Sequence, residues 1–343
     1  MSDITAVVLS VGEPYTERAL ASLVRQTLAP AETILVERVS PFHRALNTGA
    51  WGVRTPYFVQ VDADMILNAW CLEELRQRMT PAVGMVVGPL WDPLMGVEIG
   101  VKLFRRQCFD VAHVRDTVSP DTDFNAALKG RGWEVVYALP SPRDGDAPTP
   151  WPTMGAHCPP YTPLYTYRRY HLLGARYGYR RDFPTFGWRY RTLGKSDHPT
   201  ALIARIALAH GLFLRADRDL LTPGLYTSSP EFEALDRFLG SGPGAPGRAV
   251  ETVPLLDADP SAVFEAFSRL AMTLRREQQS SSFRACMRDL DASAHPRTWV
   301  ARVALAHGLF MEGSGEGRIS SEYSKIQDFL ATGFESRKRG PDR

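Results

Sequence analysis

The stretch ALNTGAWGVRTPYFVQVDADMIL, Ala45 to Leu67, decides how this chain folds. At its centre Tyr57 to Val61 (YFVQV) is a short β-branched and aromatic run that passes straight into Asp62. Such a run, bounded by turn-forming residues, reads as a buried strand. Before it, Pro41 to Val53 reads as a helix ending near Gly52. Further toward the N-terminus, Ile4 to Ser10 (ITAVVLS) is a strand that breaks at Gly12 and Pro14. Tyr15 to Gln26 carries Ala19, Leu20, Leu23 and Val24 on one side, as a helix would, and Thr33 to Val36 is another strand. Strands alternating with helices argue for an α/β fold, a mostly parallel sheet with helices on both faces. Ligands of such sheets lie beyond the carboxyl ends of the strands, where the loop after Ser10 and Asp62 both fall.

Toward the C-terminus, Val83 to Val87, Gly100 to Phe104 and Trp133 to Tyr137 read as strands and Asp123 to Lys129 as a helix. The Pro-, Gly- and Asp-rich loop from Pro140 to Pro160 is long enough to carry function. After Tyr161 the pattern turns helical, which places a domain boundary between 1–160 and 161–343. The second part contains a repeat. HPTALIARIALAHGLF from His198 and HPRTWVARVALAHGLF from His295 share eleven of sixteen positions at an offset of 97 residues. Tyr167 with Phe264, Tyr170 with Phe267, Phe186 with Phe283 and Arg191 with Arg288 extend the match upstream. Downstream, SSPEFEALDRFL from Ser228 parallels SSEYSKIQDFL from Ser320, with Gly240 to Gly247 as linker. The simplest account is a duplicated helical module, about 167–240 and 264–333. The repeated His210-Gly211 and His307-Gly308 read as imidazoles near helix C-termini with glycine as the stop, and His198 and His295 as residues at helix starts.

The chain has 343 residues, 44% hydrophobic and 23% charged, so a sizeable core is available. Forty basic against 38 acidic residues, a net charge of +2, give no global case for nucleic acid or membrane. The charge is uneven, however: Tyr165 to Lys195 holds seven arginines and one lysine against a single acid, Asp182, and Arg337, Lys338 and Arg339 form a basic tail. Arginines interleaved with aromatics there fit either an amphipathic bundle with solvated arginines or a surface for an anionic acceptor, a membrane headgroup layer or nucleic acid. Cys71, Cys108, Cys158 and Cys286 are scattered without CxxC, which favours a reducing cytoplasm. No apolar run reaches 18 residues, so no transmembrane segment is expected, and the apolar N-terminus lacks a basic region and reads as a strand.

Asp62-Ala63-Asp64 is the sharpest chemical motif. Two carboxylates flanking one small residue at a strand end can grip a hard divalent cation, Mg²⁺ or Mn²⁺, and leave positions open for phosphate. Taken alone, the same triplet is also a solvated acidic turn. Asp121 and Asp123 in PDTDFNAALKGRGWEVVY either take a proton in catalysis or favour the first turn of a helix through its dipole. His157 in MGAH is either a loop histidine or a metal ligand, and Cys158 beside it suits softer metals.

The order of these pieces resembles family 2 glycosyltransferases: a strand (AVVLSVGEP), a helix (TERALASLVRQT), a strand (TILVE), then the quoted stretch. The resemblance covers about residues 4–140 and implies a GT-A fold, a mixed sheet between helices. It implies a donor site for a nucleotide sugar built from Ser10, Gly12, Glu13, Glu37, Arg44, Asn47, Asp62 and Ala63, with Gly49 completing the N-x-G segment. It also implies Asp64, Asp62 and His157 as ligands of Mn²⁺ or Mg²⁺, and Asp121 as catalytic base with Asp123 as the next acid; a UDP-sugar is taken as the donor, though the resemblance does not set its base. The segment GVKLFRRQCFDV from Gly100 resembles the family's acceptor-pocket lining. Two positions depart from the pattern: Glu37-Arg38 stands where the family often has an acidic pair, and Pro120 replaces the usual Glu.

The expected function is inverting, metal-dependent sugar transfer from a nucleoside-diphosphate donor to a hydroxyl acceptor, whether glycan, lipid, protein or modified nucleic acid. The alternatives are a catalytically idle nucleotide-sugar-binding scaffold and a sugar nucleotidyltransferase. The latter needs a Gly-rich basic loop that SVGEPYTERAL lacks. The helical region is expected to serve the acceptor or a homodimer, with the protein cytoplasmic or peripheral to the inner face of a membrane.

Overall fold

The computed structural model describes residues 2–117, 119–139, 152–212, 229–240 and 256–311. The chain divides into two compact units, Met1–Pro160 and Tyr161–Arg343. The linker beyond Gly240, the second block at Ser320 and the basic tail lie outside the described residues.

The first unit is one eight-stranded sheet in the order β2-β1-β3-β6-β5-β8-β4, with β7 paired to β5. Its strands are β1 (Ile4–Ser10), β2 (Glu32–Glu37), β3 (Tyr57–Asp62), β4 (Met65–Leu67), β5 (Val83–Asp92), β6 (Gly96–Arg105), β7 (Glu134–Tyr137) and β8 (Gly155–His157). The helices are α1 (Thr16–Val24), α2 (Phe42–Gly52), α3 (Cys71–Gln77), α4 (Cys108–Val111) and α5 (Pro120–Lys129). Where a mostly parallel sheet is expected from the alternation, the sheet is mixed. β1 pairs in parallel with β2 and β3, but β6 runs antiparallel to β3 and to β5. The cause is the connection: β5 and β6 are joined by three residues, Pro93 to Met95, and only antiparallel neighbours can be joined so tightly. β4, β8, α3 and α4 are too short for a periodicity to register.

Both faces of the sheet are buried, so the strands read as near-continuous apolar runs. Side chains alternate between the faces. Ile4, Ala6, Val8, Val59 and Val61 join one core with Leu72 and Leu75, while Val7, Leu9, Phe58 and Phe104 join the other with Phe109 and Phe124. In the second core Phe58 stacks on Phe104 at 5.1 Å, and Phe124 of α5 lies 4.9 Å from Phe109. Phe124 thereby fixes α5 over β3 and β6. The Gly49 of N-x-G packs α2 onto β1, since a Cβ there would overlap the Val7 side chain.

The second unit is helical: α6 (Pro163–Arg180), α7 (Phe183–Gly194), α8 (Ala201–Leu212), α9 (Pro230–Gly240), α10 (Pro260–Arg276), α11 (Ser280–Ala292) and α12 (Thr298–Gly308). Features recur 97 residues apart. Thr162 and Asp259 cap α6 and α10 with their side chains, each followed by a proline. Arg181 and Gln278 turn the chain after those helices with left-handed φ values of 53° and 55°. Gly211 and Gly308 bring α8 onto α6 and α12 onto α10: a Cβ at either would strike a backbone carbonyl, that of His171 or of Ser268. His210 and His307 lie in the last turns of their helices, as read from sequence, with Gly211 next to the last residue of α8 and Gly308 the last of α12; both glycines serve close packing as well. His210 is buried, bonded through Nδ1 to the Tyr167 hydroxyl at 3.0 Å and stacked on Phe310 at 3.7 Å. Arg205 of α8 grips Asp291 of α11 at 2.7 and 2.8 Å, and Arg302 of α12 reaches the same carboxylate at 2.8 Å.

Gly211→Ala is expected to lower stability by about 1–3 kcal/mol, since backbone must move to admit the methyl group. Gly240→Ala, with nothing within 4 Å of the added carbon, is expected to cost nothing. Thermal unfolding of the two variants side by side checks this.

Candidate active site

The parallel strands align two pairs of residues at their carboxyl edge: Ser10 lies opposite Glu37, and Leu9 opposite Asp62. The loop after Ser10 is organised by Glu13. Its carboxylate accepts from the Ser10 hydroxyl at 2.9 Å and the Val11 N–H at 2.8 Å, while Gly12 turns the loop at φ 102°. A left-handed φ of that size suits glycine. Glu37 is exposed at the end of β2, and Arg44 is exposed in the first turn of α2.

The acidic triplet is pinned on both sides. The Ala63 N–H donates to the Leu9 carbonyl at 2.9 Å, and the Asp64 carbonyl accepts from the Cys158 N–H at 2.7 Å. Ala63 is fully buried, so the middle position admits only a small side chain. Beyond the turn, β4 pairs antiparallel with β8 and sets Met65 opposite His157. That register brings the His157 Nε2 to 3.2 Å from the Asp64 carboxylate. The other ring nitrogen, Nδ1, lies 2.8 Å from Asp92 Oδ2. Asp92 is fully buried, and its Oδ1 accepts from the backbone N–H groups of Leu94 and Met95 at 2.8 and 2.9 Å. In the neutral tautomer that donates Nδ1–H to Asp92, the Nε2 lone pair faces Asp64. Metal-ligating histidines are oriented by a carboxylate in this way. Glu98 joins the group: one ligand atom from each of Asp92, Glu98 and His157 falls within 4.8 Å of the others. Oxygen ligands with one imidazole suit a hard or borderline divalent cation. Burial pushes the Cys158 thiol up, which disfavours a thiolate there.

On the α5 side, Gln60 and Asp62 project from β3 onto the face that carries Phe58, and Gln60 lies opposite Lys102 of β6. Gln60 Nε2 donates to Asp62 Oδ1 at 3.0 Å. Lys102, nearly buried, extends its ammonium to Asp121 Oδ1 at 3.1 Å. Asp121 stands in the first turn of α5 with its side chain half exposed, one turn before the Phe124 anchor, and Asp123 is half-buried nearby in sequence. Asp62 is pushed up to about 6, first by burial and then by Asp64, with Gln60 and Lys102 pulling the other way and Asp121 adding to the rise. These charges are mutually felt, so Asp62, Asp64, Lys102 and Asp121 form one electrostatic group.

Asn47 makes its hydrogen bonds to backbone. Its amide nitrogen donates to the Val114 carbonyl at 2.8 Å, and its amide oxygen accepts from the Val114 N–H at 3.1 Å. Asn47 holds the segment before α5 in place, and its amide is engaged by that backbone. Asp92, Glu98, Lys102 and Gln60 are members of the site that sequence reasoning misses. Asp92 has a usable signal, because VGMVVGPLWD is a strand run ending in an acid, as YFVQVD is. Lys102 falls in the segment from Gly100 read as acceptor-pocket lining without standing out within it, and Glu98 has no signal: the β3–β6 and β5–β6 registers place them.

No family model matches the chain, and no curated protein matches it. Among solved structures it is similar to "Mannosyltransferase PcManGT from Pyrobaculum calidifontis in complex with GDP-Man and Mn2+", at 14% identity over 90% of this chain and 87% of that one, with a TM-score of 0.39. It is also similar to S. aureus TarS 1-349, at 10% identity over 90% of each chain, with a TM-score of 0.32. At those values the likeness carries no argument about function, which rests on the residues themselves.

The Asp62 shift has a consequence for stability. The folded value lies above the ordinary one, so the folded state holds this proton more tightly. The contribution is fully present below about pH 4 and is lost as pH rises through about 6, an effect of up to roughly 3 kcal/mol. Denaturant unfolding at several pH values is expected to show this loss in the parent protein without added metal and its absence in Asp62→Asn.

Proposed function

We propose that the chain is an inverting glycosyltransferase that moves a sugar from a nucleoside-diphosphate donor to a hydroxyl acceptor. The observation that carries this reading is the meeting of Asp62, Asp64, His157 and the Lys102–Asp121 pair in a single site at the carboxyl edge of β1 and β3. Asp64, Asp62 and His157 would hold Mn²⁺ or Mg²⁺, with Asp92 as the residue that orients His157. When bound, such a cation neutralises the diphosphate that departs from the sugar. Glu37 and the Ser10–Glu13 loop face the nucleoside, and Arg44 contributes a cation toward the phosphates. A UDP-sugar is the donor to test first.

Asp121 is the base in this reading. As the acceptor oxygen bonds to the anomeric carbon, its proton passes to the Asp121 carboxylate and the anomeric carbon–phosphate oxygen bond breaks, releasing the nucleoside diphosphate. Lys102 holds the Asp121 carboxylate in place until the acceptor arrives, and Asp123 supports the same turn. Asn47 acts by positioning, through its hold on Val114. We read the helical unit as two copies of one module, which serve acceptor or assembly. The caps, left-handed turns and contact glycines that recur 97 residues apart support the duplication. Four free cysteines among the described residues support a reducing compartment such as the cytoplasm.

Donor hydrolysis with Mn²⁺ and a panel of nucleotide sugars tests the activity. Asp121→Asn is expected to keep donor affinity while turnover falls about 10²–10⁴-fold. Asp64→Ala is expected to abolish metal-dependent nucleotide binding. Full activity in Asp121→Asn with loss in Asp123→Asn would move the base by two residues, activity indifferent to all three would overturn the site, and no hydrolysis of any donor in the parent protein would end the enzyme reading.

A further inference from the structure

Helix α7 buries one face and leaves the other to solvent. Phe183, Phe186, Tyr190 and Leu193 are buried, while Pro184, Trp188, Arg191 and Lys195 are exposed at spacings of four, three and four, along one side of the helix and its C-cap. Just before it, Tyr179, Arg180 and Arg181 are exposed where α6 ends. Among the described residues of the second unit, Tyr179 and Trp188 are the exposed large hydrophobic side chains, at 62% and 44%. Both fall in the segment that carries eight cations and one acid, and that acid, Asp182, caps α7 through the Thr185 N–H.

The residues 97 positions later separate what packing requires from what it does not. The buried side keeps its character: Phe283 follows Phe186, Met287 follows Tyr190 and Leu290 follows Leu193, all buried in α11. The exposed side does not. Ala285 stands at the position of Trp188, Ser281 at that of Pro184, Ala292 at that of Lys195 and Arg276 at that of Tyr179. Residues 262–292 hold five arginines against four acids, where residues 165–195 hold eight cations against one. The later helix pair thus forms without an outward tryptophan or a surplus of charge; in α7 the Arg189 guanidinium lies 5.7 Å from the centre of the Trp188 ring, which still leaves that ring 44% exposed.

We propose that the exposed residues at the end of α6 and along α7, Tyr179 and Trp188 with the cations Arg180, Arg181, Arg191 and Lys195, dock the protein on the surface of an anionic lipid bilayer. Arginine and lysine beside a negatively charged leaflet each contribute attraction, and tryptophan and tyrosine settle at the headgroup level with the ring in the apolar boundary and the polar atom outward. No described helix is long and apolar enough to cross a membrane, so the attachment is peripheral.

The test uses the full chain and vesicles of phosphatidylglycerol mixed with phosphatidylcholine, with pure phosphatidylcholine vesicles and heparin in solution as comparisons. The protein is expected to sediment with the anionic vesicles and not with the neutral ones, more weakly as salt rises. Tyr179→Ala/Trp188→Ala is expected to bind about tenfold more weakly with an unchanged far-UV circular dichroism spectrum. Lys195→Gln is expected to lose about fivefold. Quenching of protein fluorescence by bromine-labelled lipid is expected in the parent and to fall in Trp188→Ala. Failure to bind anionic vesicles, equal binding by the double variant, or a preference for heparin over vesicles would each overturn the proposal.

Discussion

Two carboxylates one residue apart, at the end of a strand buried on both faces, repel each other with little water to screen them. The fold counters that repulsion from two sides: Gln60 donates to Asp62, and the positive charge of Lys102 favours its ionised form. Asp62 is nonetheless held up at about 6, so the countering is incomplete without a further cation. On the function proposed above, the same repulsion that costs stability in the bare protein would favour a divalent ion and the phosphates it carries.

Three non-local contacts assemble this arrangement. The three-residue strand β8 returns the chain to β4 and so brings His157 to Asp64. The antiparallel register of β3 with β6 sets Lys102 across from Gln60. Phe124, buried against Phe109 and Phe104, holds α5 so that Asp121 meets the Lys102 ammonium. Each contact joins segments far apart in the chain, and the loss of any one would scatter carboxylates that are weak ligands or bases alone.

This explains what the sequence discloses and what it withholds. Asp62 and Asp64 are legible because a β-branched run ending in an acid is a local signal, and the α/β alternation tells which edge of the sheet they occupy. The antiparallel course of β6 is not legible from alternation, since it depends on a three-residue connection between two strands. Resemblance reads Asn47 as a donor contact, but its amide bonds lie with Val114, 67 residues away, and no local pattern reports that. Gly211 reads as a residue at a helix end because glycine often ends helices, and it lies next to the last residue of α8. Its further role in letting α8 approach α6 is visible only when the second helix is present.

The central claim is that Asp64 and His157 share a divalent cation that holds a nucleoside diphosphate. Crystals grown with Mn²⁺ and a nucleoside diphosphate, measured for anomalous scattering at the manganese edge, test it most directly. The account predicts an anomalous peak within coordination distance of the Asp64 carboxylate and His157 Nε2, about 2.0–2.3 Å, with diphosphate oxygens completing the shell. Nucleotide bound at the edge of β1 and β3 with no anomalous peak beside Asp64, or manganese held elsewhere in the chain, would contradict it.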